Sequence, residues 1–427
     1  MAGGAAAGKG KDADQGEDGG RRQNPLRIPA FRRYVLASLI SATGTAMAPL
    51  ALAYAVLGEG GGAGSLGVVL ATNTVPTIVF VLAGGVLADR FSRSRLLFAG
   101  NLLAAGAQGV VAVLVGSGHA TTATIAACGF VSGVATALTV PAARGAVPQL
   151  VPAEALQQAN ALLRLPGNAV KVLGPVIAGL IVAFAGPAWA LGWDAISFLV
   201  AALLLLGMRL PAPVAAESAV AQLRSGWRAF WSRTWLWTYT AAGTAVVAAW
   251  LAGYQLLGPV IADRQYAGAR DWGLVQGAFA LGLLVGTLVC LRLRPYRLLA
   301  VAVTTGAALL LPLTAMGLGL ALPWVLGSAV LAGIGLDVAV VTWSTAFQQH
   351  VPEGELGRMG AFNDVGERLA LPLGYLVTGF AASRWDPAGV LLVCAAAIAA
   401  TTVLNLCVPQ VYRINRIDPR QDLTPAA

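Results

Sequence analysis

The chain reads as an all-α membrane protein: twelve transmembrane helices arranged as two six-helix bundles related by pseudo-symmetry. Three observations lead to that fold class. First, hydrophobic residues make up 57% of the 427 residues and charged residues only 11%, where a soluble domain carries about a quarter charged residues. Second, apolar runs long enough to cross a bilayer recur along the chain, and the mean hydropathy is +0.73. Third, a signature repeats between the halves. Val151-Pro152 is followed by Leu156 and Ala161, and Val351-Pro352 by Leu356 and Ala361. A second pair of sites agrees: Gly85 to Asp89 with Leu96-Leu97 beyond, and Gly286 to Cys290 with Leu298-Leu299 beyond. Repeats in the same order within two apolar halves indicate a duplicated helical bundle.

A helix crossing about 30 Å of hydrocarbon needs roughly 20 apolar residues. Such runs cover 33–57, 65–88, 96–116, 121–140, 162–185, 188–208, 235–258, 273–291, 298–318, 323–346, 361–383 and 388–408. The fourth is rich in small residues and the eleventh carries charge, so these two have the weakest apolar signal. The first six runs make an N-terminal bundle over 33–208 and the last six a C-terminal bundle over 235–408. Residues 1–32 are polar, Gly/Ala-rich and of mixed charge, which predicts a disordered tail without a cleavable signal sequence. Residues 409–427 form a second tail. The linker 209–234 opens with Pro211 and Pro213 and ends amphipathic: Leu223, Trp227, Phe230 and Trp231 recur at helical spacing beside Arg224 and Arg228. Such a face suits a helix lying on an anionic leaflet.

Lysine and arginine cluster in both tails, in the linker and in alternate loops, whereas the other side keeps only Arg264, Arg270 and Arg384. The positive-inside bias therefore predicts cytoplasmic termini, and the scarcity of lysine beside abundant Ala and Gly points to a bacterial plasma membrane. That bias accounts for the net charge of +9 without a nucleic-acid partner. Cys128, Cys290, Cys394 and Cys407 all fall within predicted spans and lack zinc or disulfide spacing. No phosphate loop and no nucleophile–base pairing is visible, so the chain reads as neither ATP-driven nor an enzyme, with no cofactor and no metal.

The segment Gly85-Val86-Leu87-Ala88-Asp89-Arg90-Phe91-Ser92-Arg93 joins the second and third runs. It resembles the Gly-x-x-x-Asp-Arg/Lys-x-Gly-Arg/Lys motif of the major facilitator superfamily, whose twelve spans, repeated halves and long linker match nearly the whole chain. The resemblance implies that Gly85, Asp89, Arg90 and Arg93 form a conformational latch, closed when the carrier faces outward. Ser92 stands where the family usually has glycine. Cys290 stands where the second copy would have aspartate, so the latch is one-sided. Gly174-Pro175 and Gly179 in the fifth run are similar to the superfamily's antiporter motif, and a Gly-Pro pair suits a helix that bends between states. The arginine that such antiporters carry in the fourth run is absent.

Ionisable groups inside a bilayer are costly and usually functional. Asp337 in the tenth run is the foremost proton-coupling candidate, alternatively an ion-pair partner of Lys171 in the fifth. Asp364, Glu367 and Arg368 open the eleventh run and form a coupling or gating cluster. Asp194 reads as an interfacial residue near the outer end of the sixth. Asn73, Trp250, Tyr254, Gln255 and Trp343 are candidates to line a roomy, mainly apolar cavity. Pro141 through Pro152 to Gly174-Pro175, and Trp343 through Pro352 to Gly374, resemble the enterobactin-exporter-like and macrolide-efflux-like branch. That likeness implies a monomeric secondary transporter that exports a hydrophobic or amphipathic molecule, such as an antibiotic or siderophore, by alternating access and proton antiport. Solute uptake, or a non-transporting sensor or lipid-handling scaffold, remains the alternative.

Overall fold

The computed structural model describes residues 24–90, 92–152, 155–208, 210, 230–292 and 295–417. These residues form twelve long helices. They are α1 (Pro29–Gly58), α2 (Ala63–Arg90), α3 (Arg93–Gly116), α4 (Thr122–Leu150), α5 (Leu156–Ala185) and α6 (Pro187–Leu205), then α7 (Thr234–Gln265), α8 (Ala269–Arg292), α9 (Leu298–Gly317), α10 (Leu322–His350), α11 (Glu353–Arg384) and α12 (Pro387–Leu406). The protein is all-α and takes up a bilayer many times over. Eleven of these helices are long and apolar enough to cross a membrane; α11, whose first half carries Asp364, Glu367 and Arg368, is the exception. The two tails, apart from 24–32 and 409–417, and nearly all of the linker with its amphipathic stretch lie outside the described residues.

Local sequence explains the boundaries. Pro29, Pro187 and Pro387 open α1, α6 and α12 at the first turn, where the missing N–H costs nothing. Thr121 and Thr124 form a reciprocal capping box at the start of α4. Gly186, at φ +91°, makes the tight reversal between α5 and α6. Several helices outrun the apolar stretches that predict them: α4 and α10 continue to Leu150 and His350, and α11 begins at Glu353. Apolarity ends where the hydrocarbon ends, whereas backbone hydrogen bonding carries the helix further. In α7 a π-helical segment, Ala252–Leu257, interrupts the α-pattern before Gly258-Pro259. That extra winding lets the helix run past the proline to Gln265.

Helix pairing repeats with a step of six. In the first half α2 packs on α4, α3 on α4 and α6, and α1 on α5 and α6; in the second α8 packs on α10, α9 on α10 and α12, and α7 on α11 and α12. Between the halves the main contacts are α2 with α11 and α5 with α8.

The buried apolar core is divided unequally along the helix axes. Toward the end away from the chain termini, one cluster joins both halves, running from Leu50, Leu66 and Val182 to Leu256, Val260 and Trp272. Toward the termini it splits. Phe31, Leu97, Val147 and Leu205 belong to one cluster within α1–α6, and Leu298, Val303 and Ala346 to another within α7–α12. Among the described residues, the halves are therefore packed together at the far end and have separate cores at the termini end.

Candidate functional site

Two seams close the far end, and each is made by glycine. A Cβ placed on Gly67 of α2 would stand 2.7 Å from the Tyr375 carbonyl oxygen and 3.2 Å from Gly379 Cα of α11. A Cβ on Gly179 of α5 would stand 2.7 Å from the Ala269 carbonyl oxygen and 2.8 Å from Gly273 Cα of α8. Backbones approach this closely only where side chains are missing. The Tyr54 hydroxyl adds a long hydrogen bond, 3.5 Å, from α1 to the Pro259 carbonyl of α7. Closer to the termini, glycines turn inward within their own half. Gly174 meets Ala46 of α1, Gly282 meets Val330 and Gly333 of α10, and Gly374 meets Ala248 of α7.

The predicted bend motif is thus split between two jobs. Gly174 lets α5 lie against α1, while Pro175, whose carbonyl faces Gly273, and Gly179 belong to the seam with α8. Lys171 lies one turn before Pro175 and is exposed, where the α5 face leaves that seam. Sequence reasoning did not pick out Gly64, Gly67, Gly273 or Gly379. The available signal was the small-residue spacing Gly64-x-x-Gly67 and Gly273-x-x-x-Gly277.

Asp337 is half-buried in α10, and its Oδ2 accepts a 3.0 Å hydrogen bond from the Thr287 hydroxyl of α8. Its partner is a neighbour in its own half rather than Lys171. Thr287 lies in the second copy of the latch signature, so the two features meet in space. Of the latch itself, Gly85, Asp89 and Arg90 complete the last turns of α2, with side chains outside the described residues. Arg93 Nη1 donates to the Gly145 carbonyl of α4 and packs over that glycine, a contact within the first half. Asp364, Glu367 and Arg368 lie on α11, and their side chains too are outside the described residues.

Two cavity candidates require correction. Trp250 and Tyr254 are 5% and 1% exposed. Their rings stack at 4.2 Å and are flanked by Phe279 and Trp272. Four aromatic rings seal one another, so in this conformation the pair is core and does not line a cavity. Gln255 is half-buried and its Oε1 accepts from Gln276 at 3.5 Å. Asn73 donates its amide to the Gly129 carbonyl at 3.2 Å, joining α2 to α4. Trp343 does border open space.

That space is one of a matched pair of crevices. In the first half a crevice of about 200 Å³ lies among α1, α3, α4 and α6, with Tyr34, Asn101 and Thr139 in its wall. In the second half one of about 140 Å³ lies among α7, α9, α10 and α12, with Tyr239, Trp343 and Asn405 in its wall. Tyr34 donates to the Ala143 carbonyl at 3.3 Å, and Tyr239 stacks on Trp343 at 4.0 Å. Asp194 is the sharpest departure from the sequence reading. Though it lies toward the outer end of its run, it is fully buried between α6 and α1, with both carboxyl oxygens lacking a hydrogen-bond partner.

Comparison with known proteins gives the family. The chain is 28% identical over 386 residues to the enterobactin exporter EntS of Shigella boydii serotype 18, covering 86% of this chain and 90% of that one. The EntS of Escherichia coli O1:K1 gives the same identity over 385 residues. Among solved structures, the nucleoside transporter NupG superposes with a TM-score of 0.71 at 13% identity, covering 88% of this chain and 98% of that one. A bacterial homologue of the iron transporter ferroportin in its inward-facing state gives 0.70 at 19%, covering 90% and 98%. These structural likenesses establish the fold. Residues 22–423 match the family described as transmembrane secretion effectors, and the chain belongs to that family of major facilitator transporters.

Proposed function

We propose that this transporter exports a hydrophobic or amphipathic small molecule across a bacterial cytoplasmic membrane by alternating access, in exchange for protons. One observation carries the mechanism: among the described residues, the core is continuous between the halves at the far end and divided at the termini end. A carrier moves its cargo by swapping which end is packed, and this arrangement is one of the two limiting states. With the termini in the cytoplasm, as the arginine distribution argues, it is the state that faces inward. The glycine seams are the outer gate, and the Gly85–Arg93 segment is the latch that engages when the inner end closes.

The relatives named as enterobactin exporters support export. The scarcity of hydrogen-bonding side chains within the spans favours an apolar or aromatic cargo. Asp337 is the coupling carboxyl proposed for the second half, with Thr287 orienting it. Lys171 stands where the α5 face leaves the seam with α8, placed to meet an anionic group on the cargo or the Asp364–Glu367–Arg368 cluster during closure. The protein acts as a monomer in this reading.

The test is accumulation of a panel of antibiotics, dyes and siderophores in an efflux-deficient host, with and without a protonophore. Lower accumulation that the protonophore abolishes is expected. Higher accumulation of any compound would overturn export, and a broad panel left unaffected would overturn transport of this class of cargo.

A further inference from the structure

Asp194 is 0% exposed, and neither of its carboxyl oxygens has a hydrogen-bond partner. Its surroundings explain why it fits there at all. A Cβ on Gly44 of α1 would collide with the Asp194 carboxyl and the Ser197 hydroxyl, so the glycine is what opens room for the acid. The Ser197 hydroxyl is turned to the Asp194 backbone carbonyl at 2.8 Å and does not serve the carboxyl. Among the described residues, no cation compensates it either. The α1 stretch that faces it, Ser41 to Met47, has no ionisable side chain, and neither does the α3 stretch around Gly109, which meets Ala195. On α5, which also touches α6, the nearest charge is Lys171, and that side chain is exposed.

A carboxylate with no partner in a dry interior is among the most expensive arrangements available to a protein. A carboxylic acid in the same place is affordable, because it carries no net charge. The crevice of the first half comes close to the Asp194 side chain. Ser41, one turn before Gly44, and Phe198, one turn after Asp194, both line the crevice of the first half, which reaches Tyr34 in the second turn of α1. The acid therefore sits one helical turn beyond the closed end of that crevice, at an α1–α6 contact that is also pinned by Trp193 Nε1 donating to the Thr43 hydroxyl at 3.0 Å.

We propose that Asp194 is a proton-binding site of the first half, occupied and occluded in this conformation, and exchanging its proton with water in the crevice when α1 shifts against α6. This deepens the carrier reading above and rests on it. The proton comes from water and returns to water, so no other reactant is needed. Asp337 is hydrogen-bonded and half-open, and Asp194 is unpartnered and sealed; the two halves thus hold carboxyls of opposite character.

The experiment compares purified wild type with Asp194→Asn in lipid nanodiscs. Asparagine copies the shape of the neutral acid, so the variant is expected to fold. An acid held protonated in the folded state makes stability fall as pH rises above the ordinary carboxylate range, until the group ionises. Melting temperature from pH 5 to 8 should therefore decline in wild type relative to Asp194→Asn, and curves of equal slope overturn the proposal. Asp194→Ala, which removes the carboxyl without replacing it, is the second variant and should show the same flat pH dependence as Asp194→Asn. In cells, Asp194→Asn should lose the protonophore-sensitive part of export, and export left fully sensitive also overturns the proposal. If wild type itself shows no protonophore-sensitive export, the coupling reading fails, while the melting comparison still decides Asp194.

Discussion

Gly179 of α5 and Gly273 of α8 meet backbone to backbone: a Cβ on Gly273 would stand 3.0 Å from Gly179 Cα and 3.2 Å from the Pro175 carbonyl oxygen. The contact is one of two glycine seams between the halves at the far end. Its partner, Gly67 against Gly379, joins α2 to α11 in the same manner. Neither contact needs a charge or a hydrogen bond, so the seams can part and reseal without stripping polar groups of partners.

A side chain at either seam should bias the carrier toward the opposite state. Gly179→Val forces about 1–3 kcal/mol of overpacking into the closed far end. That is a shift of roughly five- to 150-fold in the equilibrium between states. Spin labels replacing the exposed Glu59 and Asp263, at the far ends of α1 and α7, should report a longer distance in the variant. An unchanged distance distribution would show that the seam is not what holds the far end shut.

Asp337→Asn should abolish protonophore-sensitive export while leaving substrate exchange intact, because exchange needs no net proton movement. Thr287→Val removes the 3.0 Å hydrogen bond to Asp337 together with the hydroxyl's 3.1 Å bond to the Leu283 carbonyl of its own helix, with an expected loss of about 1 kcal/mol of stability. Export in that variant should be weakened rather than lost. Exchange assays in vesicles, run beside thermal unfolding, separate the two effects. If Asp337→Asn exports at the wild-type rate, coupling does not pass through α10.

The end of the chain segment after α12 is clasped by one side chain. Gln349 of α10 donates to the Ile417 carbonyl at 3.3 Å and accepts from the Ile417 N–H at 3.1 Å. Behind it, Val411 and Ile414 are buried against Leu298 and Leu299, and the backbone pairs at Arg297 with Asn415. Gln349→Ala should leave transport intact and make cleavage by trypsin after Arg413 or Arg416 markedly faster. Equal cleavage rates would mean that the apolar contacts and the backbone pairing hold the segment without Gln349.

The fold was legible because a bilayer imposes long apolar runs and a gene duplication repeats them. The Val-Pro signatures fall at equivalent points, after α4 and after α10. The site was legible only in part. Asp337 announced itself as a charge amid apolar residues, and Thr287 sat in a visible repeat, but nothing in one dimension joins positions 50 residues apart. Trp250 and Tyr254 looked like cavity lining because aromatic residues suit both a core and a binding wall; only stacking with Phe279 and Trp272 decides between them. Asp194 looked interfacial because its run position lies toward a membrane edge. Depth along a helix says nothing about which face is buried, and Gly44, about 150 residues earlier, creates the space that encloses it.

Arg93 and Gly145 offer a test of the latch that does not depend on the cargo. The Arg93 guanidinium donates to the Gly145 carbonyl and occupies the volume a Cβ at Gly145 would need. In this conformation Arg93 therefore braces the start of α3 against α4, whereas the family resemblance assigns it to a latch that engages in the opposite state. If Arg93 alternates between these partners, Gly145→Ala expels it from the brace and should favour the state closed at the termini end. Arg93→Ala removes both contacts, so Gly145→Ala should add nothing to it, and the double variant should match the single one within about 0.5 kcal/mol. Lysine is a poor substitute, because it lacks the planar fork that lets arginine lie over the glycine. Distances between spin labels at the termini ends of α4 and α10, measured for both single variants and the double, provide the readout. Additive shifts would separate the brace from the latch and leave Arg93 as a fixed structural tie.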